Sequence, residues 1–217
     1  MKKLIILGTG GNCIDILDTV NDINEKKGHT IECIGFLDDN PKHLGKLHHG
    51  IEVLGSLDSA PSYGECLFVN GIGSPDNFWK KKNIISKTRV PLERFTTLVH
   101  PSASVSKTAK LGRGTVVFQN ATVTSNAHIG NHVIVLPNTV VSHDDRIGDY
   151  TCIAGGVCIS GEVTIGNSCY IGANSSIIDK VAIGDCCLVG MGSVVLDNVE
   201  ENSVVVGNPA KTLRKTC

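Results

Sequence analysis

From Val99 to Val195 every sixth residue is Val, Leu or Ile, seventeen positions without a break. Two residues before each stands a second column of small side chains, such as Ala103, Ala121, Thr139 and Ser175, interrupted by one charge, Asp145. A period of six is not helical, and the β-branched bias of both columns favours strands. A second period lies over the first: Gly112, Gly130, Gly148, Gly166 and Gly184 recur every 18 residues, each followed by a polar residue. Glycine followed by Asn or Asp suits a corner with positive φ. Eighteen residues therefore make one coil of three short strands, with a sharp corner expected on one edge. Stacked coils pair their strands in parallel, with equivalent residues ~4.8 Å apart along the axis. The expected fold of residues 99–217 is a triangular parallel β-helix. No register break interrupts the repeat, so no loop is inserted into the prism.

Composition divides the chain at the same point. Residues 1–98 hold six of the nine aromatics; residues 99–217 hold only Phe118, Tyr150 and Tyr170. A core without large side chains must be narrow and repetitive. The net charge of −1, with scattered Lys and Arg, argues against nucleic acid or anionic membrane as a partner. No apolar run approaches a membrane span, and no export signal is recognisable, so a cytoplasmic location is expected. Nine cysteines lack zinc spacing and are expected to be reduced and buried, with no metal bound.

In residues 1–98, Lys3–Leu7 reads as a buried strand, followed by Gly8-Thr9-Gly10-Gly11-Asn12 and then apolar residues at helical spacing from Ile14 to Ile23. Strand, glycine-rich turn and helix N-terminus form a phosphate-binding arrangement. A second strand, Ile31–Leu37, ends in Asp38-Asp39, and a third, Cys66–Val69, precedes Asn70-Gly71-Ile72-Gly73. The full dinucleotide fingerprint is absent, because Cys13 stands where its last glycine belongs. The expectation is a small Rossmann-like α/β domain with a mononucleotide-type site.

Among the histidines, His143 in Ser142-His143-Asp144-Asp145 is the candidate general base, since it leads into a corner and has acids beside it. The residue 18 positions on is Gly161, whose backbone should lie one coil above His143. The sequence alone leaves open whether Asp144 or Asp145 orients the imidazole; Asp145, a charge in a narrow core, demands a reason of its own.

The hexads L-G-R-G-T-V, I-G-N-H-V-I and I-G-D-Y-T-C resemble those of the hexapeptide-repeat acyltransferases. The whole layout resembles bacterial nucleotide-sugar acetyltransferases, among them the bacillosamine-pathway N-acetyltransferases and sialic-acid O-acetyltransferases. The resemblance implies a left-handed prism, acetyl-CoA as acyl donor, and a homotrimer with active sites between subunits. It assigns His143 as base with Asp144 as its acid, and the nucleotide sugar to Gly10, Gly11, Asn12, Asp38, Asp39 and Gly73. Where this chain has Asn12 the family usually has His; Asn donates a hydrogen bond without a charge. Coenzyme contacts fall on Cys152, Gly161, Gly172, Ala173, Gly190 and Met191, and Val204–Lys211 is expected to close that site. Flat aliphatic faces are expected to pack in the trimer. The implied activity is N-acetylation of a nucleotide-linked 4-amino-4,6-dideoxy sugar for a surface glycan such as lipopolysaccharide. O-acetylation of sialic acid or another glycan sugar, and a non-catalytic nucleotide-sugar scaffold, remain as alternatives.

Overall fold

The computed structural model describes residues 1–216, and Cys217 lies outside the described residues. In the N-terminal part, β1 (Lys2–Leu7), α1 (Gly11–Lys27), β2 (Ile31–Leu37), β3 (Leu47–His48), β4 (Ile51–Gly55), β5 (Leu67–Asn70) and α2 (Lys81–Ser86) follow in order. They build a five-stranded sheet in the order β3-β4-β2-β1-β5, with only β3 antiparallel. The β3–β4 hairpin extends the three expected strands. β1 lies between β2 and β5, so the sheet's carboxyl ends open a crevice where the strand order reverses. α1 buries Ile16, Leu17, Val20 and Ile23 of the predicted stripe, with Cys13 fully buried in place of the half-buried Ile14.

From Leu98 onward the chain winds as a left-handed parallel β-helix with three faces. Face 1 contains the strands ending at Val99, Val117, Val135, Ile153, Ile171 and Val189. Face 2 contains those ending at Val105, Val123, Val141, Ile159, Ile177 and Val195, and face 3 those ending at Leu111, Ile129, Ile147, Ile165 and Ile183. Every pair joins residues 18 apart, as between Val123 and Val141 or between Ile147 and Ile165. The aliphatic and small columns interlock as one continuous core. Burying each such aliphatic side chain contributes about 1.5–3 kcal/mol. Ser203–Gly207 and Ala210–Lys215 end the chain as an antiparallel ribbon on face 1.

The corners differ from expectation in two ways. Left-handed backbone occurs at every corner, not on one edge: from Gly114 to Gly192 each sixth residue has positive φ, including Asn126, Asp144, Tyr150 and Lys180. The recurrent glycines 112, 130, 148, 166 and 184 are not among these. Their cause is steric. A Cβ on Gly112 would collide with the backbone of Gly130, and one on Gly148 with that of Gly166. The polar residues after them form a ladder: the Arg113, Asn131, Asp149 and Asn167 N–H groups donate to the side-chain oxygens of Asn131, Asp149, Asn167 and Asp185 at 2.7–2.9 Å.

Face 1 carries the N-terminal domain. Its outward residues Leu98, Val116, Ile134 and Cys152 share a core with Leu4, Ile16, Val20 and Phe36. At the edge between faces 3 and 1, the fully buried Lys81 of α2 donates from Nζ to the His132 carbonyl at 2.6 Å. Burial pushes its pKa down to about 8. The other two faces differ. Face 3 presents Lys110, His128, Arg146, Thr164 and Ala182, whereas face 2 mixes Ser104, Thr122, Cys158 and Ser176 with Val140, Val194 and the exposed Ile178 and Leu196. The most apolar face is the one the N-terminal domain covers. Nor are the cysteines uniformly buried: Cys158, on the outer side of face 2, is exposed, Cys186 is half-buried, and Cys33 is half-buried at the margin of the N-terminal core. No helix of the described residues is long and apolar enough to cross a membrane.

Candidate active site

At the carboxyl ends of β1, β2 and β5 lies a cavity of about 570 Å³. All six expected nucleotide-sugar residues line it: Gly10, Gly11, Asn12, Asp38, Asp39 and Gly73. The turn opens directly into α1, whose N-terminus supplies uncapped N–H groups and the positive end of its dipole. Asn12 Nδ2 donates to the Gly73 carbonyl at 3.2 Å, tying the two glycine-bearing turns together. Asp38 is spent internally: it accepts from Thr9 Oγ1 at 2.7 Å and from the Asn40 N–H at 2.7 Å. Asp39 accepts from the Leu57 N–H at 3.0 Å and from Lys87 Nζ at 2.7 Å. Burial alone would raise its pKa, but these two donors hold the carboxyl below the ordinary range. Thr9 of the same turn lines the cavity too, together with Lys87, Leu136 and Tyr170, which were not legible in the sequence. Leu136 and Tyr170 come from face 1, so the prism forms one wall.

His143 stands on the edge between faces 2 and 3, with its side chain 60% exposed. Its Nδ1–H donates to Asp144 Oδ2 at 3.0 Å, and Asn126, one coil below, donates to Asp144 Oδ1 at 3.2 Å. The His143 bond, then the Asn126 bond, hold the Asp144 carboxyl below its usual pKa. Asn126 could have been found by stepping 18 residues back from Asp144. Gly161 lies one coil on, where a Cβ would come within 2.5 Å of His143 Nε2. Its lack of a side chain is what leaves room for the imidazole.

Asp145 is not the partner of His143. It is fully buried, and its carboxylate accepts the N–H groups of Ser142 and Val163, both at 2.8 Å. Burial is the larger effect and pushes its pKa up to about 7, against those two bonds.

The expected coenzyme contacts separate into three places. Gly161 stands with His143. Gly172, Ala173, Gly190 and Met191 lie on the edge between faces 1 and 2, with Met191 79% exposed. Cys152 is a correction: its side chain is completely buried between Ile134 and the turn at Gly73, under the N-terminal domain, where no coenzyme reaches it. The edge that carries His143 is the one that does not border face 1. In one protomer the base and the cavity thus lie on opposite sides of the prism.

Residues 3–87 match the family model described as the PglD N-terminal domain, and residues 162–197 match that of the bacterial transferase hexapeptide repeat. The comparison with curated proteins finds no match. The acetyltransferase domain of PglB from Neisseria gonorrhoeae is similar, at 26% identity and TM-score 0.83, over 98% of this chain and 100% of that one. WeeI from Acinetobacter baumannii is similar at 25% identity and TM-score 0.83, over 98% and 100%. PerB from Caulobacter crescentus, in complex with CoA and GDP-perosamine, shares the fold at 24% identity and TM-score 0.83, over 99% and 98%. The chain thus joins a PglD-type N-terminal domain to a bacterial transferase hexapeptide repeat, and over nearly its whole length it shares that two-part architecture with these solved structures.

Proposed function

We propose that the chain is an acetyl-CoA-dependent N-acetyltransferase acting on the amino group of a nucleotide-linked 4-amino-4,6-dideoxy sugar, in cytoplasmic steps of surface-glycan biosynthesis. One arrangement carries the reading: His143 is oriented by Asp144 at Nδ1, its Nε2 lies against Gly161, whose missing side chain makes room for the ring, and the side chain is exposed to an incoming acceptor. The acetyltransferase domain of PglB, seen in complex with acetyl coenzyme A, supports the choice of donor.

Acetyl-CoA supplies an activated thioester carbonyl. His143 takes a proton from the acceptor nitrogen at Nε2 as the new C–N bond forms. The C–S bond then breaks, and the imidazolium returns the proton to the departing thiolate. Asp144 stabilises the charged imidazole between these steps. The Gly161 N–H is the candidate donor to the thioester oxygen. The edge at Gly172, Ala173, Gly190 and Met191 offers a side-chain-poor track for the pantetheine arm. Beside it, the ribbon exposes Lys211, Arg214 and Lys215 to the coenzyme phosphates.

The separation of His143 from the cavity in one protomer supports a homotrimer in which the His143 edge of one copy meets the cavity of the next. Light scattering should give a trimeric mass; a fully active monomer would exclude this assembly. The activity is tested by thiol release from acetyl-CoA against UDP-, dTDP- and GDP-linked 4-amino sugars and free sialic acid. Turnover of an amino sugar, lost in His143→Ala, is expected. Turnover of sialic acid alone would replace the reading with O-acetylation.

A further inference from the structure

The cavity is short of positive charge for the ligand proposed for it. A nucleotide sugar carries a diphosphate, yet Lys87 is the one cation among the described residues that line the cavity, and Asp39 neutralises it at 2.7 Å. Asp38 adds a further negative charge, and Asn12 offers none of the cationic character a histidine would have there. The α1 N-terminus helps, but its dipole amounts to about half a charge.

Two cations stand on the other side of the prism. Lys110 and Arg146 occupy the same position on face 3, two coils apart, with His128 between them. Arg146 is exposed and forms no ion pair among the described residues; its charge is felt at Asp144, but that carboxylate is already engaged by His143 and Asn126. Arg146 is also only three residues from His143 and begins the strand that leaves that same edge. A group that brings the acceptor amine to His143 therefore brings the rest of the substrate past Arg146.

We infer that Arg146 of a neighbouring copy clamps the diphosphate of the nucleotide sugar held in this copy's cavity, supplying the charge the cavity lacks. The inference rests on the proposed substrate and on the assembly that joins the His143 edge to the cavity. A guanidinium suits the task because its planar fork meets two phosphate oxygens at once. The site is then shared: the glycine-rich turn comes from one copy, the imidazole and guanidinium from the next.

The test uses the full chain, with mass, KM for each substrate and salt dependence measured together. Arg146→Gln should raise KM for the nucleotide sugar about 10- to 100-fold, the range of a hydrogen bond to a charged group. KM for acetyl-CoA should change less than about twofold by the same reasoning, since that donor lies on other residues. Arg146→Lys should recover part of the loss. In the wild type, KM for the nucleotide sugar should climb steeply between low and physiological salt, and Arg146→Gln should flatten that climb. An unchanged nucleotide-sugar KM in an active Arg146→Gln trimer overturns the inference and leaves the acetyltransferase reading standing. A wild-type KM insensitive to salt overturns it too, whatever the variant's assembly. A wild type that turns over no nucleotide sugar removes the underlying reading itself.

Discussion

The Asp145 carboxylate accepts the N–H of Val163, the residue one coil on in the same inward column, at 2.8 Å. Thr115 and Thr151 make the same contact with Oγ1 to the N–H groups of Val133 and Cys169, at 3.1 and 3.0 Å. Asp145 thus fills a role that a threonine hydroxyl fills elsewhere, but with a group that burial pushes to a pKa of about 7. In the folded protein it binds a proton more tightly than in the unfolded chain, where the ordinary value is 3.8. Its contribution to stability is therefore full below about pH 4 and lost as pH rises through about 7. Asp145→Thr should remove this pH dependence. The melting temperature of the wild type, relative to the variant, should rise as pH falls from 7 to 5. A difference that does not vary with pH would show that Asp145 stays ionised throughout.

His143→Ala should lower turnover by about 10²- to 10⁴-fold, the range for a lost general base. With its side chain 60% exposed, the residue adds little to the core, so melting temperature and acetyl-CoA affinity should hold. Thiol-release kinetics beside a melting curve check both. Loss of less than tenfold would place the base elsewhere.

Gly161→Ala should act through His143. The added methyl would lie 2.5 Å from Nε2, so the ring must turn away from Asp144 or from the acceptor. A displacement of that size costs on the order of 10²-fold in turnover. The expected signature is a lower kcat with an unchanged trimer and melting temperature. Full activity would mean that the imidazole works from another rotamer.

Ile165→Asp should unfold the prism. The side chain is 1% exposed, between Ile147 and Ile183 in the same column, and no donor faces it as Val163 and Ser142 face Asp145. Destabilisation beyond about 4 kcal/mol is expected from an unpaired charge there. Circular dichroism and light scattering would register the loss; a soluble trimer with unchanged melting would contradict the register.

The prism and half of its site were readable because they depend on local periodicity. Adding 18 to 143 finds Gly161, and subtracting 18 from 144 finds Asn126. The corner glycines were misread because two demands look alike in sequence. Gly130 and Gly148 are selected by the approach of the next coil, whereas the left-handed positions accept Asn126, Tyr150 or Lys180, since stacking on both sides fixes the backbone. Cys152 was placed on the coenzyme by the family resemblance, and nothing near it in sequence announces that the N-terminal domain lies over it. Lys87 escaped notice for the same reason: its partner Asp39 is 48 residues away.

The three-faced winding also sets the unit in which this chain can change length. Removing six residues between His143 and Gly161 would keep every aliphatic side chain pointing inward, so the core would survive. Everything downstream, however, would step round by one face, and Gly161 would leave its place over the imidazole for the edge next to the N-terminal domain. Removing 18 residues would shorten the column by one storey and leave every later side chain on its own face. Viable length variants of this prism should therefore differ by whole turns, even though its hydrophobic core tolerates thirds of one.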